Sequence, residues 1–78
     1  MAITSITAPE TDPRIQFGRR LVQLRKVRDW SQEQLALESG LARSYLGGVE
    51  RGQRNIALLN ICRLADALNL PASELLIF

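Results

Sequence analysis

The sequence predicts an all-α domain of five helices. Apolar residues recur at helical spacing along most of the 78-residue chain, capping residues precede the first two apolar runs, and no convincing strand pattern is present. A chain of this length forms one domain and buries only about 60% of the surface that its unfolded form exposes. Dense helix packing, or a partner subunit, must therefore supply much of its stability.

Capping residues, glycine and proline indicate where the helices begin and end. Asp12 caps a first helix that Pro13 opens. Ser31 caps the second helix, and Gln34 three residues later completes a capping box. Gly40 ends the second helix. The predicted helices cover residues 13–28, 32–39, 43–51, 58–69 and 72–76.

The first dozen residues differ from the rest of the chain. Residues 1–12 have no periodicity and no Lys or Arg, so we expect a flexible leader before a folded domain at 13–78. No segment approaches the roughly 18 apolar residues that span a bilayer, and the leader lacks the features of a signal peptide. The single cysteine, Cys62, fits a reducing compartment. We expect a cytoplasmic protein without a membrane partner.

The net charge of +2 conceals an uneven distribution. Between positions 13 and 28 there are six basic residues and no acid: Arg14, Arg19, Arg20, Arg25, Lys26 and Arg28. Such a concentration of positive charge indicates a polyanion as the partner. A solvated helix face is the alternative reading of the same pattern.

The sequence offers little for catalysis or metal binding. It has no histidine and one cysteine, which leaves no four-ligand zinc site and no nucleophile–base pair. Cys62 lies among the apolar residues of the fourth helix and, like Leu59, is predicted to face the core. We therefore expect no enzyme activity, no metal and no cofactor.

Two short helices joined by a glycine turn predict a helix-turn-helix across residues 32–51. Leu35 and Ala36 face inward, and the alanine is small where the two helices cross. Gly40 provides the positive φ that the turn needs. The wedge between the helices is filled by Leu41, Leu46 and Val49. An αα-hairpin without a role in DNA binding has similar apolar spacing, but it leaves the exposed polar face of the third helix unexplained.

Three segments carry a resemblance to a known family. They are SQEQLA at 31–36, RSYLGGVERG at 43–52 and RNI at 54–56. Together they resemble the phage-repressor/Cro-like (XRE-type) helix-turn-helix family, and within it most of all the small controller proteins of restriction–modification systems. The resemblance covers about residues 14–77. It implies a lambda-repressor-like fold whose third helix enters the major groove of double-stranded DNA.

The resemblance also implies which side chains bind DNA. Base contacts are expected from Arg43, Ser44 and Arg54, and an arginine that binds guanine through two bonds contributes about 1–3 kcal/mol of discrimination. Phosphate contacts are expected from Gln32, Tyr45 and Asn55. Purely structural or solvated roles are the alternatives for Gln32, Tyr45 and Arg54, and a phosphate contact is the alternative for Arg43.

Other positions have expected structural roles. Arg25 and Glu50 match a partly buried ion pair of the family that joins the first helix to the third. Gly47 and Gly48, costly inside a helix, either let the helix lie deep in the groove or allow close packing on the second helix. Ala57 stands where the family usually has a Ser or Thr cap, and Asn55 is a candidate to cap the fourth helix instead.

The C-terminus indicates a partner. Its apolar residues Leu75, Leu76, Ile77 and Phe78 are predicted to form the interface of a homodimer, which would separate two recognition helices by about 34 Å, one turn of DNA. The resemblance implies operator repeats as the target, with two dimers able to bind adjacent sites. We therefore expect a sequence-specific transcriptional regulator of a restriction–modification operon. Another small repressor of the same family, or an antitoxin acting through a protein partner, is the alternative.

Overall fold

The computed structural model describes residues 11–78, and this part of the chain is all-α, as predicted. Most of the predicted leader, residues 1–10, lies outside the described residues. The elements are α1 (Pro13–Val27), α2 (Gln32–Ser39), α3 (Arg43–Glu50), α4 (Leu58–Leu68) and a C-terminal 3₁₀ helix (Ala72–Leu76). The fifth predicted helix is thus a 3₁₀ helix. None of the described helices is long and apolar enough to cross a membrane.

Local chemistry sets the first two helix starts. The Asp12 carboxylate accepts a hydrogen bond from the Arg14 backbone N–H at 2.9 Å, and the Arg14 guanidinium pairs with it at 2.7 Å. These bonds from Arg14 lower the pKa of Asp12. The Ser31 hydroxyl accepts from the Gln34 N–H at 3.0 Å. The Gln34 side chain donates to Glu38 instead, so only half of the predicted capping box forms.

One apolar core joins all five elements. Its buried residues are Phe17, Leu21, Leu35, Ala36, Leu46, Val49, Leu64, Ala65, Leu68 and Leu75. The predicted core positions Leu59 and Cys62 are wrong: Leu59 is 63% exposed, and Cys62 is exposed as well. Leu64 and Leu68 define the buried side of α4, and at 100° per residue Leu59 and Cys62 fall on the opposite side.

Gly18 allows α1 to approach the end of α3 at backbone distance. A Cβ at this position would lie 2.5 Å from the Glu50 carbonyl oxygen and 2.6 Å from that of Val49. Real Cβ atoms do not come so close to a carbonyl oxygen, so any larger residue requires the two helices to separate. Gly18 therefore fixes how α3, the predicted recognition helix, sits on the domain.

Most of the basic side chains at positions 13–28, in α1 and at its C-cap, bind groups inside the domain. Four of these six side chains bind groups within the described residues: Arg14, Arg20, Arg25 and Arg28. Arg20, for example, donates from Nε to the Glu74 carbonyl oxygen at 2.8 Å and joins the 3₁₀ helix to α1. Most of these basic side chains thus have partners within the domain.

Candidate nucleic-acid interface

The third helix presents its first turn to solvent. Leu46 and Val49 are buried and fix α3 against the core, while Arg43 and Ser44 are exposed at its N-terminal end. Ala42 precedes the helix and provides no side-chain cap. The start of α3 therefore lacks a side-chain cap, and two exposed polar side chains lie at this end of the helix.

A partly buried ion pair holds α3 to α1. Arg25 donates from Nε to Glu50 Oε2 at 2.8 Å and from Nη2 to Glu50 Oε1 at 3.0 Å. Its remaining nitrogen, Nη1, donates to the Trp30 carbonyl oxygen at 2.8 Å. The two side chains are 11% and 4% exposed. This bidentate pair is the one that the family resemblance implied.

The Gln32 side chain connects this ion pair to the exposed end of α3. Its Nε2 donates to Glu50 Oε1 at 2.8 Å, and its Oε1 accepts from Arg43 Nη1 at 3.2 Å. The carboxylate of Glu50 can only accept, so it fixes which end of the Gln32 amide points toward Arg43. The second N–H of Gln32 Nε2 makes no hydrogen bond within the described residues, so the side chain can donate to a phosphate while it keeps its bond to Glu50.

Arg54 lies against α3 from the following loop. Its guanidinium carbon is 5.6 Å from the centre of the Tyr45 ring, a cation–π distance. A Cβ at Gly48 would lie 3.1 Å from Arg54 Cγ, so the glycine makes room for this side chain. The Tyr45 hydroxyl accepts from Asn60 Nδ2 at 3.2 Å. Tyr45 and Gly48 thus place Arg54 next to the exposed face of the recognition helix.

Asn55 is exposed in the same loop. Ala57 is the N-cap residue of α4, and the cap has no side-chain hydrogen bond. The expectation that Asn55 caps α4 is therefore wrong. Its amide remains available to solvent or to a ligand.

Arg51 lies on the same face as Arg43 but was not among the site residues predicted from the sequence. It follows Glu50 directly and is exposed. A Cβ at Gly47 would lie 3.1 Å from Arg51 Nη1 and 3.6 Å from Gln32 Oε1. Gly47 therefore lets the Arg51 side chain fold back along α3. Arg43, Gly47 and Arg51 are spaced four residues apart, and this spacing could have predicted from the sequence that they share one helix face.

The predicted dimer surface needs one correction. Leu75 is 0% exposed and belongs to the core of the domain, because the 3₁₀ helix packs against both α1 and α4. The C-terminal patch consists of Leu76, Ile77 and Phe78, which are 49–55% exposed. A second apolar surface, absent from the sequence prediction, is the α4 patch of Leu58, Leu59 and Cys62.

Comparison with known proteins agrees with this geometry. The helix-turn-helix family model matches residues 21–75. The control protein C.MunI of Mycoplasma sp is 40% identical over 65 residues, which are 82% of this chain and 88% of that protein. The control protein C.BamHI of Bacillus amyloliquefaciens is 41% identical over 66 residues, 83% of this chain and 82% of that protein.

A solved structure of a controller protein is similar to this chain in both sequence and fold. The restriction-modification controller protein C.AhdI from Aeromonas hydrophila is 56% identical, with a TM-score of 0.78 over 80% of this chain and 94% of that chain. A family model over most of the chain, relatives aligned along most of their length and a matching fold all agree. The chain belongs to the helix-turn-helix family of DNA-binding transcriptional regulators and is similar to restriction–modification controller proteins.

Proposed function

We propose that this protein is a homodimeric, sequence-specific regulator of a restriction–modification operon and acts in the cytoplasm on operator DNA. The observation that carries the proposal is the placement of Arg43 and Ser44 at the exposed start of α3. The similarity to controller proteins supports the operon assignment. Like those relatives, the chain would act by binding rather than by catalysis.

The contacts divide into base readers and phosphate binders. Arg43 and Ser44 would reach base edges from the first turn of α3, and Arg54 would do so from the adjacent loop. Asn55 would bind phosphate through its free amide. The Tyr45 hydroxyl, which accepts from Asn60, retains its own proton and can donate it to a phosphate. Gln32 would also bind phosphate, through its second N–H, while its oxygen orients Arg43.

The dimer would form through two apolar surfaces on packed elements. The C-terminal patch belongs to the segment that Arg20 holds against α1, and the α4 patch lies on the helix that packs against that segment. Exposed apolar side chains of this extent favour burial against another protein surface. A second copy of the chain would cover them symmetrically and set two α3 helices one DNA turn apart. Two such dimers would bind adjacent operator sites.

The dimer proposal predicts the effect of Leu59→Glu on both assembly and DNA binding. The charge would lie in the dimer interface, where it has no partner and little water. We expect the wild type to sediment as a dimer and to protect two half-sites about one turn apart upstream of its own gene. Leu59→Glu should sediment as a folded monomer and lose that footprint. Analytical ultracentrifugation and nuclease footprinting measure the two effects.

Val27→Glu is the matched control, because Val27 is 83% exposed and lies outside both apolar patches. It should remain a dimer with the wild-type footprint. A dimeric Leu59→Glu variant would contradict the proposed interface. A wild type that leaves this DNA unprotected would contradict the regulator proposal itself and direct the search to a protein partner, as the antitoxin alternative requires.

A further inference from the structure

We propose that Asn60 is a positioning residue for base reading: it holds the Tyr45 ring, and that ring holds the guanidinium of Arg54 before DNA is bound. The inference rests on the proposed function, because it concerns the base contact assigned there to Arg54. It gives α4, which lies outside the helix-turn-helix, a part in the choice of operator sequence.

The side chain of Arg54 lies along α3 and ends at the Tyr45 ring. Its Cγ and Nε are 3.1 Å and 3.2 Å from the position that a Cβ at Gly48 would take, and its guanidinium carbon is 5.6 Å from the centre of the ring. Within residues 11–78, the guanidinium makes no hydrogen bond or ion pair. The ring is therefore what holds the charged end of this exposed side chain.

Asn60 fixes the far end of the Tyr45 side chain. Its Nδ2 donates to the Tyr45 hydroxyl at 3.2 Å, and both residues are half-buried. The ring itself packs against the apolar core. A change of the Tyr45 rotamer would break the hydrogen bond to Asn60, so this bond keeps the face of the ring next to the guanidinium of Arg54.

This arrangement lowers the entropic cost of the base contact. A guanidinium that is already held loses less conformational freedom when it binds a base, and immobilising a long side chain changes affinity by about two- to tenfold. The cost falls on the operator complex, because shuffled DNA does not offer Arg54 its base contact. Asn60 should therefore raise the preference for the operator without touching the DNA.

The test measures dissociation constants for the DNA upstream of the gene and for a shuffled duplex of the same length, and its readout is their ratio. Asn60→Ala should lower this ratio about two- to tenfold relative to wild type. In an Arg54→Ala background, the same change should leave the ratio unaltered, because the side chain that Asn60 positions is gone. A merely structural role for Asn60 would not depend on Arg54 in this way. Circular dichroism confirms that each variant is folded.

Gln23→Ala is the control, because it also removes an amide, and Gln23 is exposed on α1 without a side-chain hydrogen bond in the described part of the chain. It should leave the ratio unchanged. Equal weakening of both duplexes by Asn60→Ala would overturn the inference, and so would an equal fall of the ratio with and without Arg54. A wild type without preference for the upstream DNA would instead count against the proposed function.

Discussion

Replacing Glu50 with alanine is expected to lower the free energy of unfolding by about 3–5 kcal/mol. The substitution removes both carboxylate acceptors of Arg25, whose side chain is only 11% exposed, and leaves its charge without compensation. It also removes the acceptor that orients Gln32. Stabilities of small domains are about 5–15 kcal/mol, so this one change would remove a large share of the total.

Urea unfolding followed by circular dichroism measures this loss. Glu38→Ala is the matched control, since Glu38 is exposed and binds only Gln34 in the described part of the chain; its effect should stay within about 0.5 kcal/mol. The double variant Arg25→Met, Glu50→Leu should recover much of the stability, because it removes both charges together. A loss below about 1 kcal/mol in Glu50→Ala would contradict the structural role. If Glu50→Ala shows the expected loss of stability and also fails to bind DNA, the lost binding reflects unfolding and not a missing DNA contact.

Gly18→Ala is expected to destabilise the domain by about 1–3 kcal/mol, the usual cost of overpacking. The added Cβ would meet the Glu50 and Val49 carbonyl oxygens at 2.5 Å and 2.6 Å. These are backbone atoms, so α1 and α3 must separate to admit the methyl group. The better helix propensity of alanine, worth about 1 kcal/mol, would offset only part of this cost.

Gly47→Ala provides the contrasting variant in the same protein. There the new Cβ would meet the end of the flexible Arg51 side chain at 3.1 Å, which can move aside. We therefore expect unchanged or slightly higher stability, by up to about 1 kcal/mol. Thermal unfolding of the two variants under identical conditions makes the comparison. Equal stabilities for Gly18→Ala and Gly47→Ala would show that the close helix contact at Gly18 does not constrain the fold.

Helix boundaries were predictable because caps are local chemistry. Asp12, Ser31 and Gly40 act on their own neighbours, and the structure begins and ends the first two helices within a residue of the predicted positions. The inward face of α4 was not predictable in the same way. Its first turns are apolar on several sides, and hydrophobicity alone does not distinguish a side chain that faces the core from one exposed as Leu59 is.

In the candidate site, too, local features were predictable from the sequence and contacts between helices were not. The exposed positions of Arg43, Ser44 and Arg54 followed from the motif and its resemblance to known regulators. Side-chain pairing across elements did not follow, because it depends on how the helices pack. Gln32 on α2 bonds Glu50 on α3, which in turn pairs with Arg25 on α1. Another basic residue of α1, Arg20, bonds Glu74, 54 positions later in the chain. A charge count along the chain therefore does not show which basic side chains are paired within the domain.

Base reading by Arg43 is the central claim, and the preference for upstream DNA over shuffled DNA tests it most directly. The ratio of the two dissociation constants is measured at one fixed salt concentration for wild type and Arg43→Ala. We expect a wild-type ratio of about 10³ or more. Loss of 1–3 kcal/mol of discrimination should reduce that ratio about 5- to 150-fold in the variant. An equal loss of affinity for both duplexes, with the ratio unchanged, would contradict the claim and reduce Arg43 to a phosphate contact.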